Sequence, residues 1–346
     1  MAKKIVGIYD LGITEKMMQK LRDMEEYGYT VELVAKTPGE DEMSFQAAML
    51  SVEVNGPEKT ALDAAVFEAV KDAEIIVTDF GPVGSKLMDA APELKLIGTC
   101  RTGLENINLE AAKARGVKVV NAPGRAAVAV ADFTVGAMIC QLRNIARTDV
   151  DIKNGGWEKK FANSEISYNM CDYQVGLIGF GDIGKRIAKR LQGFDTTVAA
   201  YDPYCPAEVI EACGCKAMGL DELLATSDVV SIHARLTEQT KNMFNAEMFD
   251  KMKPTAVFVN MARAELVDED ALVHALQTKK ISGAVLDVFT QEPLPADHPL
   301  RGMDNVTLSA HLAGTSQGTY SASVGIVTEE LVRYAKGEAL LHCVQE

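Results

Sequence analysis

Val175–Asp202 reads V-G-L-I-G-F-G-D-I-G-K-R-I-A-K-R-L-Q-G-F-D-T-T-V-A-A-Y-D, and its reading decides the fold. Val175–Ile178 is a short apolar run of strand type, and Ile183, Ile187, Ala188 and Leu191 then recur at helical spacing. Between the two lies Gly179-Phe180-Gly181-Asp182-Ile183-Gly184. A second apolar run, Thr197–Tyr201, ends in Asp202. Strand, glycine turn, helix, strand and acid in this order make a complete dinucleotide-binding fingerprint. Gly179 permits the tight turn, Gly181 lets a pyrophosphate reach the backbone, and Gly184 lets helix and strand pack closely. The helix start offers unpaired N–H groups and a partial positive charge to phosphates. Asp202 can accept hydrogen bonds from an adenosine ribose diol and repels a 2′-phosphate. Pro203 and Tyr204 bring no cation to offset that repulsion, so NAD is favoured over NADP.

Outward from this stretch, 346 residues exceed one ordinary core and predict two domains. Hydrophobic residues at 47% and charged ones at 24% fit a soluble globular chain. A net charge of −14 argues against nucleic acid or an anionic membrane as partner, since both select basic patches. No apolar run approaches the roughly 20 residues of a membrane span, and the start does not read as a signal peptide. Ala126–Cys140 comes nearest, but Asp132 interrupts it. The seven scattered cysteines include no zinc-like spacing, and they read as reduced thiols of a cytoplasmic protein without a bound metal.

Strand-type runs at Lys4–Tyr9, Thr30–Lys36, Glu74–Asp79, Leu94–Cys100 and Val117–Asn121 precede the glycine turn. Helical patterns at about Glu15–Tyr27, Lys59–Val70 and Leu109–Arg115 lie among them, which predicts a parallel-sheet α/β domain. The middle of Thr37–Lys59 suits a short helix or a strand equally. A long helix over about Ala126–Ile145 is apolar almost all round, as suits burial between domains or subunits. Beyond Asp202 the strands are expected at Asp228–His233, Ala256–Asn260, Ile281–Phe289 and Val306–Ser309, with a last helical stretch over Gly314–Gly337.

Ligands of open α/β sheets bind beyond the carboxyl ends of the strands. Past Cys100 stands Arg101-Thr102-Gly103-Leu104, past Asn260 stands Met261-Ala262-Arg263, past the Ile281 strand stand Asp287 and Glu292, and past Ser309 stands His311. Hydride transfer between NAD and a carbinol needs a base for the hydroxyl proton and an anchor for a carboxylate. An imidazole titrates near neutral pH and suits the first task. A guanidinium fork suits the second, and a carboxylate behind the imidazole fixes its tautomer. Taken singly, each residue has a blander reading: a surface ion pair, a solvated loop acid, a core histidine.

Several separate motifs taken together resemble the NAD-dependent D-2-hydroxyacid dehydrogenases. They are Gly176–Gly184, His233-Ala-Arg-Leu-Thr237, Val259-Asn-Met-Ala-Arg263 with Leu266-Val-Asp268, Gly283–Phe289 with Glu292-Pro293, and Ala310-His-Leu-Ala-Gly314. The resemblance runs from about Ala73 to about Gly337. It implies a flavodoxin-like substrate domain formed by both chain ends, 1–121 plus 315–346, and a doubly wound Rossmann NAD-binding domain over 122–314. It implies His311 as general acid/base, Glu292 as its partner and Arg263 as substrate anchor. Gly179, Phe180, Gly181, Asp182, Ile183, Gly184, Asp202, His233, Ala262, Asp287 and Gly314 would line the cofactor. Arg101, Thr102, Gly103, Leu104 and Arg263 would bind a small 2-hydroxy or 2-oxo acid, gripped by the N–H groups around Thr102–Leu104. A homodimer through the Ala126–Ile145 helix is implied as well.

Departures from the family's pattern narrow the substrate. Asp79-Phe-Gly-Pro-Val83 stands where phosphoglycerate dehydrogenases carry an arginine and a serine for the phosphate, so a phosphorylated substrate is disfavoured, although Arg101 could supply a cation. The chain ends soon after the last helix, which reads as the absence of a regulatory domain. Two alternatives stay open here. Formate dehydrogenase has glutamine where Glu292 stands, and an NAD(H)-sensing corepressor-like binding protein retains much of the same site.

Overall fold

The computed structural model describes residues 3–37 and 39–344, and the chain divides into two compact units. The first comprises Met1–Arg125 and Ser316–Glu346, the second Ala126–Thr315.

Five parallel strands build the first unit: β1 (Lys3–Tyr9), β2 (Tyr29–Ala35), β3 (Ala73–Thr78), β4 (Leu96–Thr99) and β5 (Lys118–Val120), in the order β2-β1-β3-β4-β5. This is the flavodoxin-like order, and its switch point lies between β1 and β3. Every residue of β3 is buried, as a central parallel strand covered on both faces requires. Glu74 in that run keeps its charge satisfied by Lys3 and by the Tyr29 hydroxyl, each at 3.1 Å. The helix Gln317–Lys336 returns to this unit and packs Val324, Val327 and Leu331 into the same core as Ile5, Ile75 and Leu96.

Seven parallel strands build the second unit: β6 (Gln174–Ile178), β7 (Thr197–Tyr201), β8 (Lys216–Ala217), β9 (Val229–Ile232), β10 (Val257–Asn260), β11 (Gly283–Leu286) and β12 (Val306–Leu308). Their order, β12-β11-β10-β9-β6-β7-β8, is doubly wound, with the switch point between β6 and β9. The strands β9, β10 and β11, apolar but for Ser231 and Asn260, are fully buried.

Some local expectations change in the structure. The undecided 37–59 segment contains a helix, Glu42–Asn55, whose N-cap Asp41 accepts from the Ser44 N–H. The helix expected from Lys59 begins only at Ala64, where Asp63 caps it through the Ala65 N–H. Of the Glu15–Tyr27 helix, Glu15–Met18 is α-helical and Gln19–Tyr27 winds as 3-10 helix. The long helix expected over about Ala126–Ile145 is Ala127–Leu142, and a second helix, Ile145–Lys153, follows it at a bend of 65°. Asn144 sits in the left-handed region at φ 57°, which its short polar side chain tolerates and which ends the first helix. Among the described residues no single helix is long and apolar enough to cross a membrane.

Candidate active site

The glycine turn after β6 is shaped as the fingerprint requires. Gly179 has φ 97°, and a Cβ there would lie 2.7 Å from the His233 carbonyl. A Cβ on Gly184 would lie 2.5 Å from the Gly179 oxygen, whereas one on Gly181 would meet open space. The turn is therefore closed toward the protein and open at Gly181, as a backbone that receives a pyrophosphate must be. Asp182 and Ile183 open the helix Asp182–Gln192, so their N–H groups face the same opening unpaired. Gly184→Val is expected to push helix from strand. It should weaken dinucleotide binding at least tenfold and lower the melting temperature, by a destabilisation of about 1–3 kcal/mol. NADH fluorescence titration and calorimetry measure both, and unchanged NADH affinity would contradict this role for Gly184.

Asp202 lies just past β7, where one carboxylate oxygen accepts from the Phe180 N–H and the other from the Tyr204 N–H, both at 2.8 Å. Each oxygen keeps a further lone pair for a ribose diol. His233, just past β9, accepts from or donates to Ser231 Oγ at 2.8 Å through Nε2. Its Nδ1 is shielded from water and has no hydrogen-bond partner among the described residues. Burial pushes its pKa down to about 4, so the ring is neutral at physiological pH.

The residues expected to carry the chemistry, Arg263, Glu292 and His311, come from neighbouring strand ends of this unit. Past β10, Arg263 is exposed, and Asn260 shapes its loop by accepting from the Ala262 N–H at 3.0 Å and donating to the Arg263 carbonyl at 2.9 Å. Past β11, Glu292 Oε2 meets His311 Nδ1 at 2.8 Å, while its Oε1 accepts from the Phe289 N–H at 3.0 Å. Partial burial pulls the Glu292 pKa up. The bonds from His311 and Phe289 and the charges of His311 and Arg263 outweigh that pull and hold it below the ordinary value. The side chain of His311 is 51% exposed, its Nε2 free to meet a ligand.

Asp287 organises this end of the site. It is 1% exposed; its Oδ1 accepts from Ser309 Oγ at 2.6 Å and the Leu312 N–H at 2.9 Å, and its Oδ2 from the Ala313 N–H at 2.9 Å. Its carbonyl also accepts from the His311 N–H at 2.9 Å. These bonds hold His311 at φ 53°, a conformation unusual for histidine. Asp287 thus carries a positioning task not foreseen in the sequence, as do Asn260 and Ser309. All three lie at or just past strand ends, so the strand-end rule contains them. Gly314 follows this loop, and a Cβ there would lie 3.5 Å from the Ala126 Cβ and 3.9 Å from Val130 Cγ2, at the start of the long helix.

In the first unit the loop after β4 carries Arg101–Leu104. Among the described residues the N–H groups of Thr102, Gly103 and Leu104 donate no hydrogen bond, which leaves three adjacent donors for an anion. Arg101 is buried, stacks on the Phe80 ring at 3.8 Å and reaches the exposed Glu105 at 3.4 Å.

The long helix Ala127–Leu142 buries Val130, Ala131, Val135, Met138 and Leu142 in the core of its own unit. Val128 on it is 47% exposed, and Ile145, Val150 and Ile152 of the following helix are exposed too.

Comparison with known proteins matches residues 135–313 to the NAD binding domain of the D-isomer specific 2-hydroxyacid dehydrogenases. A glyoxylate reductase of Thermofilum pendens is 39% identical over 271 residues, 78% of this chain and 79% of that protein. A D-3-phosphoglycerate dehydrogenase of Methanocaldococcus jannaschii is 36% identical over 275 residues, 79% of this chain; the match spans only 52% of that longer protein. Among solved structures, the NAD-complexed D-isomer specific 2-hydroxyacid dehydrogenase of Lactobacillus delbrueckii ssp. bulgaricus superposes with a TM-score of 0.77 at 25% identity. That match covers 99% of this chain and 100% of the other.

Proposed function

Since the chain belongs to the D-isomer specific 2-hydroxyacid dehydrogenase family, we propose that it is an NAD-dependent oxidoreductase acting on a small D-2-hydroxy acid and its 2-oxo acid counterpart. The observation that carries this reading is the 2.8 Å pair of His311 and Glu292, in the unit that also holds the glycine turn, Asp202 and Arg263.

The donor set suits the dinucleotide: an open backbone at Gly181, unpaired N–H groups at the helix start and an acid at Asp202. Bound there, the nicotinamide supplies or accepts the hydride. The chain's own residues handle the proton and the substrate. In reduction, His311 Nε2 gives its proton to the carbonyl oxygen, while Glu292 holds Nδ1–H and stabilises the imidazolium. Arg263 polarises the carbonyl and orients the acid group, and the three N–H groups of Thr102–Leu104 bind the carboxylate. In oxidation the same imidazole takes the proton back.

Glu292 speaks against formate chemistry, which uses glutamine at this place. Asp79 in place of an arginine disfavours a phosphorylated acid. The exposed apolar side chains Val128, Ile145, Val150 and Ile152 support a homodimer through the long helix and its continuation, and the free cysteines support a cytoplasmic setting.

A panel of 2-oxo acids, glyoxylate and hydroxypyruvate among them, assayed with NADH and NADPH tests the assignment. Turnover of none of them would favour the NAD(H)-sensing binding protein and overturn the enzyme. On the same panel, Asp202→Asn can keep only one of the two N–H bonds, from Phe180 or Tyr204, and loses the charge that repels a 2′-phosphate. The NADH:NADPH ratio of kcat/KM is expected to fall on the order of tenfold; an unmoved ratio would remove Asp202 from cofactor choice.

A further inference from the structure

At the carboxyl ends of β1, β3 and β4, the switch point of the first sheet, lies a charged cluster that the proposed reaction leaves unused. Asp79 is fully buried there. Its Oδ1 lies 3.5 Å from Arg125 Nη1, and its Oδ2 has no partner among the described residues. Arg125 Nη1 also donates to the Cys100 carbonyl at 3.0 Å. Beside them, the two oxygens of Asp10 are taken by the N–H groups of Gly12, Ile13 and Phe80.

Arg125 therefore hydrogen-bonds by one corner only, with its guanidinium over the Tyr320 ring at 6.0 Å. Its Nε and Nη2 donate to nothing among the described residues, and its side chain is 19% exposed. The Nε–Nη2 edge is one of those by which a guanidinium grips a carboxylate in bidentate fashion. A purely structural pair would spend such an edge on Asp79; here a single long contact joins the two. Nor does Asp79 cancel the cation fully. Burial, aided by the Asp10 charge, pushes its pKa up to about 7 against the pull of Arg125 and Arg101.

The open edge belongs to the same stitched loop pair as the expected carboxylate grip. The Ala122 N–H donates to the Arg101 carbonyl at 2.8 Å, Thr102 Oγ1 to the Ala122 carbonyl at 3.1 Å, and Asn121 Nδ2 to the Thr102 carbonyl at 2.8 Å. In the proposed reaction the N–H groups of Thr102–Leu104 and Arg263 already serve the acid group next to the reacting carbon. Arg125 is left over.

We propose that Arg125 is a specificity-determining anchor for a second carboxylate, so that the preferred substrates are 2-oxo and 2-hydroxy dicarboxylic acids. This rests on the dehydrogenase reading above. Asp79, joined to Arg125 by one long contact, offsets part of its charge without occupying the open edge. The groups facing Asp79 are Asp10, Arg101 and Arg125, with Cys100 and Tyr320 alongside and Lys36 behind Asp10.

The test compares kcat/KM for oxaloacetate and 2-oxoglutarate with that for pyruvate. The wild-type protein is expected to favour a dicarboxylate at least tenfold, and Arg125→Leu to lower that ratio roughly 10- to 100-fold, the size of a lost charge-assisted fork. Arg125→Lys should fall between. Asp79→Asn should lower the dicarboxylate KM at pH 8, where Asp79 is charged, and change it little at pH 6, where it is mostly protonated. A structural role alone would not give that pH split. If Arg125→Leu does not fold, the Lys variant and the Asp79→Asn pH split decide. Pyruvate turnover with an unmoved ratio overturns this inference alone, as does a preference for a phosphorylated 2-oxo acid. Turnover of no 2-oxo acid overturns the dehydrogenase reading and this inference with it.

Discussion

Replacing His311 by glutamine is expected to lower kcat by a factor on the order of 10²–10⁴ while NADH still binds. Glutamine keeps much of the ring's volume and can still bond Glu292, but its amide cannot give a proton to a substrate oxygen or take one back. The loss should therefore fall on the chemical step. His311 is held in place by bonds its imidazole does not make: its backbone N–H donates to the Asp287 carbonyl, and the Asp287 carboxylate fixes Ser309, Leu312 and Ala313 around it. Because that scaffold does not depend on the imidazole, the variant should fold with the loop intact. Single-turnover measurement of NADH oxidation, alongside NADH titration, separates the two effects. Equal turnover in the variant would take the imidazole out of the reaction.

Arg263→Gln ranks next. Its loop is set by Asn260, and its Nη1 donates to the Ala262 carbonyl at 2.7 Å, so the side chain is aimed before any substrate arrives. Removing one partner of a close charge pair costs roughly 2–5 kcal/mol. That corresponds to about a 30- to several-thousand-fold loss in kcat/KM. Arg263→Lys keeps the charge but not the fork, and its effect should appear chiefly as a raised KM for the 2-oxo acid. Steady-state kinetics of both variants would show it; an unchanged KM in both would mean that another group holds the acid.

Much of this was legible in the chain itself, because the signals were local or lay at a fixed distance. The glycine turn, its helix and Asp202 are one continuous stretch, and the strands of both sheets are apolar runs that read as buried parallel strands. The pairing of Glu292 with His311, 19 residues apart, was reached only through the strand-end rule and a family resemblance. Other features resisted reading. The break at Asn144 depends on one residue entering the left-handed region, and nothing in an apolar helical pattern signals that. The late helix start at Ala64 turned on which of several acids would cap it. The meeting of Asp79 with Arg125, 46 residues away, belongs to tertiary structure, so neither residue stood out alone.

The division of the chain also has a practical side. Residues 126–315 are one unbroken segment, whereas the other unit is assembled from two pieces that flank it. A gene for the middle segment alone should therefore yield a nucleotide-binding module that still carries Arg263, Glu292 and His311. Its counterpart can be produced as a single polypeptide only by splicing the flanking pieces or permuting the termini. Recombination between relatives should accordingly tolerate crossovers near 125 and 315 far better than elsewhere, so that one module can be exchanged while the other is kept.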